Sequence, residues 1–267
     1  MNTKIRLGLC QMTVSDKKKD NLEKALSMLE ECSKQGADIA ILPEMFICPY
    51  DTKLFPLYAE NVENSKTLSV ISKSAKYNNM YIVAGTIPES NNGFIYNSSV
   101  MFDRQGNTIA KHRKVHLFDI NVKDGISFRE SDVLTAGRSV TVAETEFGCI
   151  GLAICFDMRF AGLYSEMTEK GAKIIITPAS FNMTTGPAHW ELLVRARALD
   201  NQVFHVAVSS ARETSANYVS YGNSMVCDPW GSVISRAEEK EDILIADIDL
   251  NMVNSVRNQI PVNKIID

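Results

Sequence analysis

Short, fully apolar runs alternate along the chain with longer segments whose apolar residues recur every three or four positions. Residues 5–10 read as a buried strand. Residues 21–34 place Leu22, Ala25, Leu26, Leu29 and Cys32 on one side, the spacing of an amphipathic helix. Residues 38–42 form a second continuous apolar strand, closed by Pro43. A helix over Lys66–Tyr77 leads to a strand at 81–85. Strands at 98–102 and 108–111 then flank Asp103-Arg104-Gln105-Gly106, residues suited to a hairpin turn. Apolar strands separated by helices predict a sheet covered on at least one face, hence an α/β protein.

The same order occurs a second time. Gly36-Ala37-Asp38-Ile39-Ala40-Ile41-Leu42-Pro43-Glu44 is echoed by Gly171-Ala172-Lys173-Ile174-Ile175-Ile176-Thr177-Pro178-Ala179, and the turn at Asp103–Gly106 by Asp228-Pro229-Trp230-Gly231. Two half-repeats are implied, at about 1–120 and 145–250, with no Pro-, Ser- or Gly-rich linker between them. We therefore expect a single domain over residues 1–267, built of two sheets packed face to face with helices outside. In such sheets ligands bind beyond the carboxyl ends of the strands. Glu44 follows the strand at 38–42, Cys155 ends the strand at 149–154, and the segment 177–181 ends a third.

Composition narrows the function. The 267 residues include 28 Lys and Arg against 32 Asp and Glu, a net charge of −4, with 45% hydrophobic residues. That excludes a largely disordered chain and gives no basic footprint for nucleic acid. The first apolar stretch is only about seven residues long and is interrupted by Arg6, so neither a signal peptide nor a membrane span is expected. Six cysteines without a C-x-x-C pair suggest reduced thiols in a cytoplasmic protein. The 14 glycines form no dinucleotide or P-loop pattern.

One cysteine stands apart. Cys155 sits where a strand runs through a turn into a helical segment at 161–170, an elbow that exposes a side chain and presents backbone N–H groups at a helix start. Such groups lower a thiol pKa or hold an oxyanion. Its base is either a histidine (His112, His116, His189 or His205) or Glu44, and Lys114, flanked by Val115, Leu117 and Phe118, can supply charge to an oxyanion. A Cys/His hydrolase and a non-catalytic interaction protein are the competing readings.

At these residues the sequence resembles the nitrilase (carbon-nitrogen hydrolase) superfamily. The resemblance rests on Leu42-Pro43-Glu44, on His112-Arg113-Lys114-Val115-His116-Leu117-Phe118, and on Gly151-Leu152-Ala153-Ile154-Cys155-Phe156-Asp157-Met158-Arg159-Phe160, in the family's order Glu, Lys, Cys. Within the family it is similar to the omega-amidase branch, above all through the stretch from Phe181 to Leu193 and through Ile126-Ser127-Phe128-Arg129-Glu130-Ser131. The resemblance implies a four-layer αββα sandwich, paired as a homodimer through a helical face, with neither metal nor cofactor. It implies Glu44 as general base, Lys114 with the Phe156 backbone N–H as oxyanion donors, Cys155 as nucleophile, and Glu130 as the second carboxylate that positions Lys114 and the substrate amide. Members of this branch commonly continue into a basic, Tyr-containing tail, whereas this sequence ends at Asn263-Lys264-Ile265-Ile266-Asp267, which leaves the dimer details open.

The implied substrate is the terminal amide of a small 2-oxo dicarboxylic acid monoamide. Its free carboxylate needs a cation, for which Arg159 is the candidate, with hydroxyls from Tyr50 and Thr185 near the 2-oxo acid end and Phe181 lining the pocket. Thr184 and Thr185 also precede Gly186-Pro187, where a helix should begin, so either is equally a candidate N-cap. The alternatives within the family are a larger acid of the deaminated-glutathione type or an N-carbamoyl amino acid. At a net charge of −4, recognition of an anion must be local.

Overall fold

The computed structural model describes residues 3–123 and 125–262. The closing segment 263–267, on which the difference in the tail rests, lies outside the described residues. The first half of the chain forms β1 (Lys4–Gln11), α1 (Lys18–Lys34), β2 (Ile39–Ile41), α2 (Phe55–Tyr58), α3 (Lys66–Tyr77), β3 (Tyr81–Val83), β4 (Ile87–Asn91), β5 (Phe94–Phe102) and β6 (Thr108–Arg113). A small hairpin of β7 (Asp119–Asn121) and β8 (Ser127–Arg129) follows. The second half forms β9 (Thr141–Thr145), β10 (Gly148–Leu152), α4 (Ala161–Glu169), β11 (Ala172–Ala179), α5 (Gly186–Asn201) and β12 (Phe204–Ser209). It closes with β13 (Met225–Cys227), β14 (Val233–Arg236), β15 (Asp242–Asp249) and α6 (Asn251–Gln259).

One sheet has the order β15-β1-β2-β3-β5-β4, with β6 also on β5, and the other has β14-β13-β12-β11-β10-β9. Three neighbouring strands are parallel in each, β1-β2-β3 and β10-β11-β12, with antiparallel strands to either side. The central strands read as unbroken apolar runs because both of their faces are covered. Alternate residues go to different layers. Ile39 and Ile41 point into the space between the sheets, where they pack with Leu7, Leu9, Ile174, Ile176 and Val206. Ala40 and Leu42 point the other way, onto Ala25 and Leu29 of α1 and Leu68 and Ile71 of α3. Ile175 and Ala179 likewise meet Tyr164 and Met167 of α4 and Trp190 and Val194 of α5. The result is the four-layer αββα sandwich. Each fully buried Leu, Ile or Val in it contributes about 1.5–3 kcal/mol.

The two hairpin turns noted in the sequence are built alike. Asp103 Oδ1 accepts from the N–H groups of Gln105 and Asn107, and Asp228 Oδ1 from those of Trp230 and Ser232. Gly106 and Gly231 both take the left-handed backbone that such turns require, at φ 82° and 83°. The connection between the halves is tighter than the sequence suggested. β15, late in the chain, leaves its own half and pairs antiparallel with β1 from Lys4↔Asp249 to Gln11↔Asp242.

Candidate active site

The site forms where β2, β6 and β10 end. Glu44 follows β2, Lys114 follows β6, and Cys155 stands just beyond β10. Glu130 is supplied by the turn after β8, a hairpin that the hydrophobic pattern did not reveal. All four are buried. Backbone bonds fix the Lys114 segment, since its N–H donates to Asn97 O at 2.9 Å and its carbonyl accepts from Gly137 N at 2.8 Å. That approach needs glycine, because a Cβ at Gly137 would lie 2.2 Å from the Arg113 carbonyl. On β6 itself, Lys111 and Arg113 both bind the buried Glu89 carboxylate, at 2.8 and 2.6 Å. Burial alone would raise Glu89, but Arg113, Lys111 and Ser98 outweigh it and hold the group at about 2.

The Lys114 ammonium lies 2.9 Å from Glu44 Oε1 and 3.0 Å from Glu130 Oε1. Tyr50 donates its hydroxyl to Glu130 Oε1 at 2.6 Å, and the Phe118 N–H donates to Glu130 Oε2 at 2.6 Å. Asn97 donates to Glu44 Oε1 at 2.8 Å. Glu44 Oε2, by contrast, is buried with no hydrogen-bond partner among the described residues. Burial raises the Glu44 carboxyl above its ordinary value, and the nearby Glu130 adds to the rise, while Lys114 opposes it. Burial disfavours the Lys114 charge, yet Glu130 and Glu44 outweigh that and hold the ammonium above its ordinary value. The Cys155 thiol is pushed well up, first by burial and then by the Glu44 charge. A protonated thiol therefore rests beside a carboxylate of raised proton affinity, with a fixed cation next to both.

The elbow expected at Cys155 is a single turn of three-ten helix, Cys155–Arg159, entered through a left-handed residue: Cys155 has φ 44°. A non-glycine residue in that region is strained, a condition that persists only where surrounding bonds over-determine it. Here the Ile154 N–H donates to Asp157 Oδ2 at 3.0 Å and the Asp157 N–H to Ile154 O at 3.0 Å. The first N–H groups of such a turn have no partner inside the helix, and the Phe156 N–H is among them.

None of the four histidines serves Cys155. His112 and His116 both bind Asp157, His205 binds Thr177 and the Val194 carbonyl, and His189 lies 3.2 Å from Arg159 Nη2. The Cys/His reading has no base left. Asp157 is buried, which would raise its pKa, but hydrogen bonds from His112 and His116 outweigh this and hold it at about 2.

The substrate-side candidates divide. Arg159 makes no ion pair with Asp157 or with any other acid among the described residues. Its guanidinium lies 5.4 and 5.5 Å from the ring centres of Phe156 and Phe181, and its Nε is buried without a hydrogen-bond partner among the described residues. The Tyr50 hydroxyl joins the Glu44, Lys114 and Glu130 cluster, donating to Glu130 Oε1 at 2.6 Å and lying 3.2 Å from the Lys114 ammonium. The Thr185 hydroxyl donates to Asn182 Oδ1 at 3.2 Å. Neither threonine side chain caps α5. Asn182 orders the turn that precedes the helix, its Oδ1 accepting from the Thr184 and Thr185 N–H groups at 2.9 Å. Phe181 is buried against Trp190, their ring centres 5.1 Å apart, as well as against Arg159.

Sequence reasoning missed Asn97, Glu89 and Tyr218. The first two are buried polar residues within strands, Glu89 after Ile87-Pro88 and Asn97 in the run Asn97-Ser98-Ser99. Tyr218 packs against Tyr50, ring centres 4.6 Å apart and the planes tilted by 31°, from a loop that carries no local pattern.

The carbon-nitrogen hydrolase family profile matches residues 6–258. The omega-amidase NIT2-B of Xenopus laevis is 47% identical over 261 residues, covering 98% of this chain and 94% of that protein. The omega-amidase NIT2 of Mus musculus is 47% identical over 259 residues, covering 97% of this chain and 94% of that protein. The crystal structure of Saccharomyces cerevisiae Nit3, a member of branch 10 of the nitrilase superfamily, superposes with a TM-score of 0.91 at 37% identity, covering 98% of this chain and 96% of that one. The buried Glu, Lys and Cys thus sit in a chain that matches this family over nearly its whole length: the protein belongs to the carbon-nitrogen hydrolase (nitrilase) superfamily, in its omega-amidase branch, and is an enzyme acting on amides.

Proposed function

We propose that the enzyme hydrolyses the terminal amide of a small 2-oxo dicarboxylic acid monoamide, such as 2-oxoglutaramate or 2-oxosuccinamate, to the 2-oxo acid and ammonia through a thioester on Cys155. The observation that supports this reading is the buried cluster of Glu44, Lys114, Glu130 and Cys155 with an acid-free guanidinium, Arg159, four residues beyond the sulfur. An amide-hydrolysing family leaves the non-catalytic reading without support.

Glu44 Oε2 has its lone pairs free and takes the thiol proton as sulfur attacks the amide carbon. The oxyanion that forms is held by the Lys114 ammonium and the Phe156 N–H. Glu44 then returns the proton to the amide nitrogen, the C–N bond breaks and ammonia leaves. Water attacks the thioester, giving its proton to Glu44. The C–S bond breaks and the proton goes back to the sulfur. Glu130, bound to Lys114, Tyr50 and the Phe118 N–H, keeps the ammonium charged and in place.

Turnover needs Glu44 ionised, and burial raises its pKa. Activity should therefore be lost as pH falls through that raised value, so the acid limb of the kcat/KM profile lies above the range of an ordinary exposed carboxylate. A profile still flat through that range would contradict Glu44 as the base.

Ammonia release should be measured from 2-oxoglutaramate, glutamine, a deaminated peptide amide and an N-carbamoyl amino acid. The first should turn over with the highest kcat/KM; turnover of the N-carbamoyl compound alone would overturn the reading. Arg159→Met should raise KM for the 2-oxo acid monoamide by about 10- to 100-fold, the worth of a charge-assisted contact. A neutral aliphatic amide should be hardly affected by the same change. Equal loss on both substrates would remove Arg159 from recognition.

A further inference from the structure

Asp157 has no place in the chemistry above, yet it is fully buried and both of its oxygens are doubly engaged. Oδ1 accepts from the His116 N–H at 2.9 Å and from His116 Nδ1 at 2.8 Å. Oδ2 accepts from the Ile154 N–H at 3.0 Å and faces His112 Nε2 at 3.2 Å. Two of these partners bracket Lys114 in sequence, and the third is the residue before Cys155. His112 is further tied to Thr141 on β9 at 3.0 Å, and the His116 ring stacks on Phe160 with ring centres 3.5 Å apart.

We propose that Asp157 is a positioning residue, whose one carboxylate ties the Lys114 segment to the Cys155 elbow and so fixes the distance between ammonium and sulfur across which the oxyanion must form. The inference rests on the roles proposed for Cys155 and Lys114. The two groups follow strands of different sheets, β6 and β10, and besides the His112 contact to Thr141 it is this carboxylate that joins their ends. The main chain of the elbow is also strained at Cys155 and is anchored through the Ile154 N–H. A misplacement of about 1 Å in such a site costs on the order of 10²-fold in rate.

Asparagine separates this role from simple filling of space. It keeps the shape but offers one oxygen and one NH₂. The backbone N–H of His116 and that of Ile154 can only donate, so either orientation leaves one of them facing an NH₂ group. One side of the tie must break. Asp157→Asn should lower kcat about 10- to 100-fold with KM within about threefold of the parent, while circular dichroism remains native. In a Lys114→Met background the same substitution should cost less than about threefold, because the distance it sets no longer has an ammonium at one end. Single-turnover thioester formation at excess enzyme gives both rates.

His116 provides an independent arm, since its side chain is partly exposed. His116→Phe keeps the stack on Phe160 and removes the Nδ1 donor, and it should lower kcat about tenfold. His116→Asn restores a donor at that position and should recover most of the loss. If Asp157→Asn does not fold, the two His116 variants decide. The proposal is overturned by a folded Asp157→Asn enzyme with kcat within threefold of the parent. It is equally overturned by losses that multiply fully with Lys114→Met, or by His116 variants that are indistinguishable. Retained turnover in Cys155→Ala would instead defeat the mechanism on which the inference rests, a separate outcome.

Discussion

Cys155→Ala is expected to release no measurable ammonia from any amide, a fall of roughly 10⁴-fold or more, because removal of a nucleophile abolishes the covalent route altogether. The other five cysteines leave no substitute. Cys10, Cys32, Cys48 and Cys227 are buried; Cys10 and Cys32 lie against one another at 3.6 Å in the core, and Cys149 lies within β10. Burial pushes Cys48 and Cys227 up to about 12, as it raises Cys155, but among the described residues no hydrogen bond joins either of them to the Glu44, Lys114 and Glu130 cluster that would take up the proton. The substitution deletes a sulfur at a strand end and leaves the backbone bonds of the elbow in place, so the fold should persist. Two measurements check this together. Quenching the parent enzyme during turnover should trap an acyl mass on the peptide containing Cys155, and Cys155→Ala should show neither the adduct nor turnover. An adduct elsewhere, or turnover within tenfold of the parent, would refute the assignment.

Lys114→Met should be the second most damaging change. Methionine roughly fills the space of the lysine stem, so packing is largely kept and the charge is lost. In comparable sites the loss of one oxyanion donor costs about 10²–10³ in kcat. A further effect follows from its two carboxylates. Lys114 is the main influence lowering the Glu44 pKa, and Glu130 raises it. Without the ammonium the two acids repel unopposed, Glu44 holds its proton to higher pH, and the acid limb of the profile moves up. The variant should also be less stable at neutral pH, by about 3–5 kcal/mol if both acids stay ionised and by less once one takes a proton. An unshifted acid limb, or kcat within tenfold of the parent, would argue against the cation.

Much of this site was legible in the sequence for a physical reason. Glu44 and Cys155 each follow a short apolar strand, and a polar residue after a strand buried on both faces has few places to go except the site at the strand ends; Lys114 instead follows β6, which is partly exposed and ends in polar residues. The four-layer arrangement was readable for the same cause, since unbroken runs such as Ile39-Ala40-Ile41-Leu42 must be covered on both sides. What was not legible depends on non-local partners. Tyr50 carries no local sign that its hydroxyl is committed to Glu130, which is eighty residues away. Asp157 carries no local sign of its role, because His112 and His116 approach it from β6 and from the segment after β6. The hairpin of β7 and β8 is too short, and too exposed, to impose a period on its residues.

The pairing of β15 with β1 has a consequence for how the protein is made. During synthesis β1, with Leu7, Leu9 and Cys10, emerges first, and its antiparallel neighbour emerges only after Asp242 has been added. At about 5–20 residues per second the growing chain carries one unsatisfied strand edge for tens of seconds. An apolar edge of that kind is a template for pairing with another chain. The first sheet therefore cannot be completed on the ribosome before β15 is out, and nascent chains that stall between β1 and β15 should depend on holding chaperones to stay soluble.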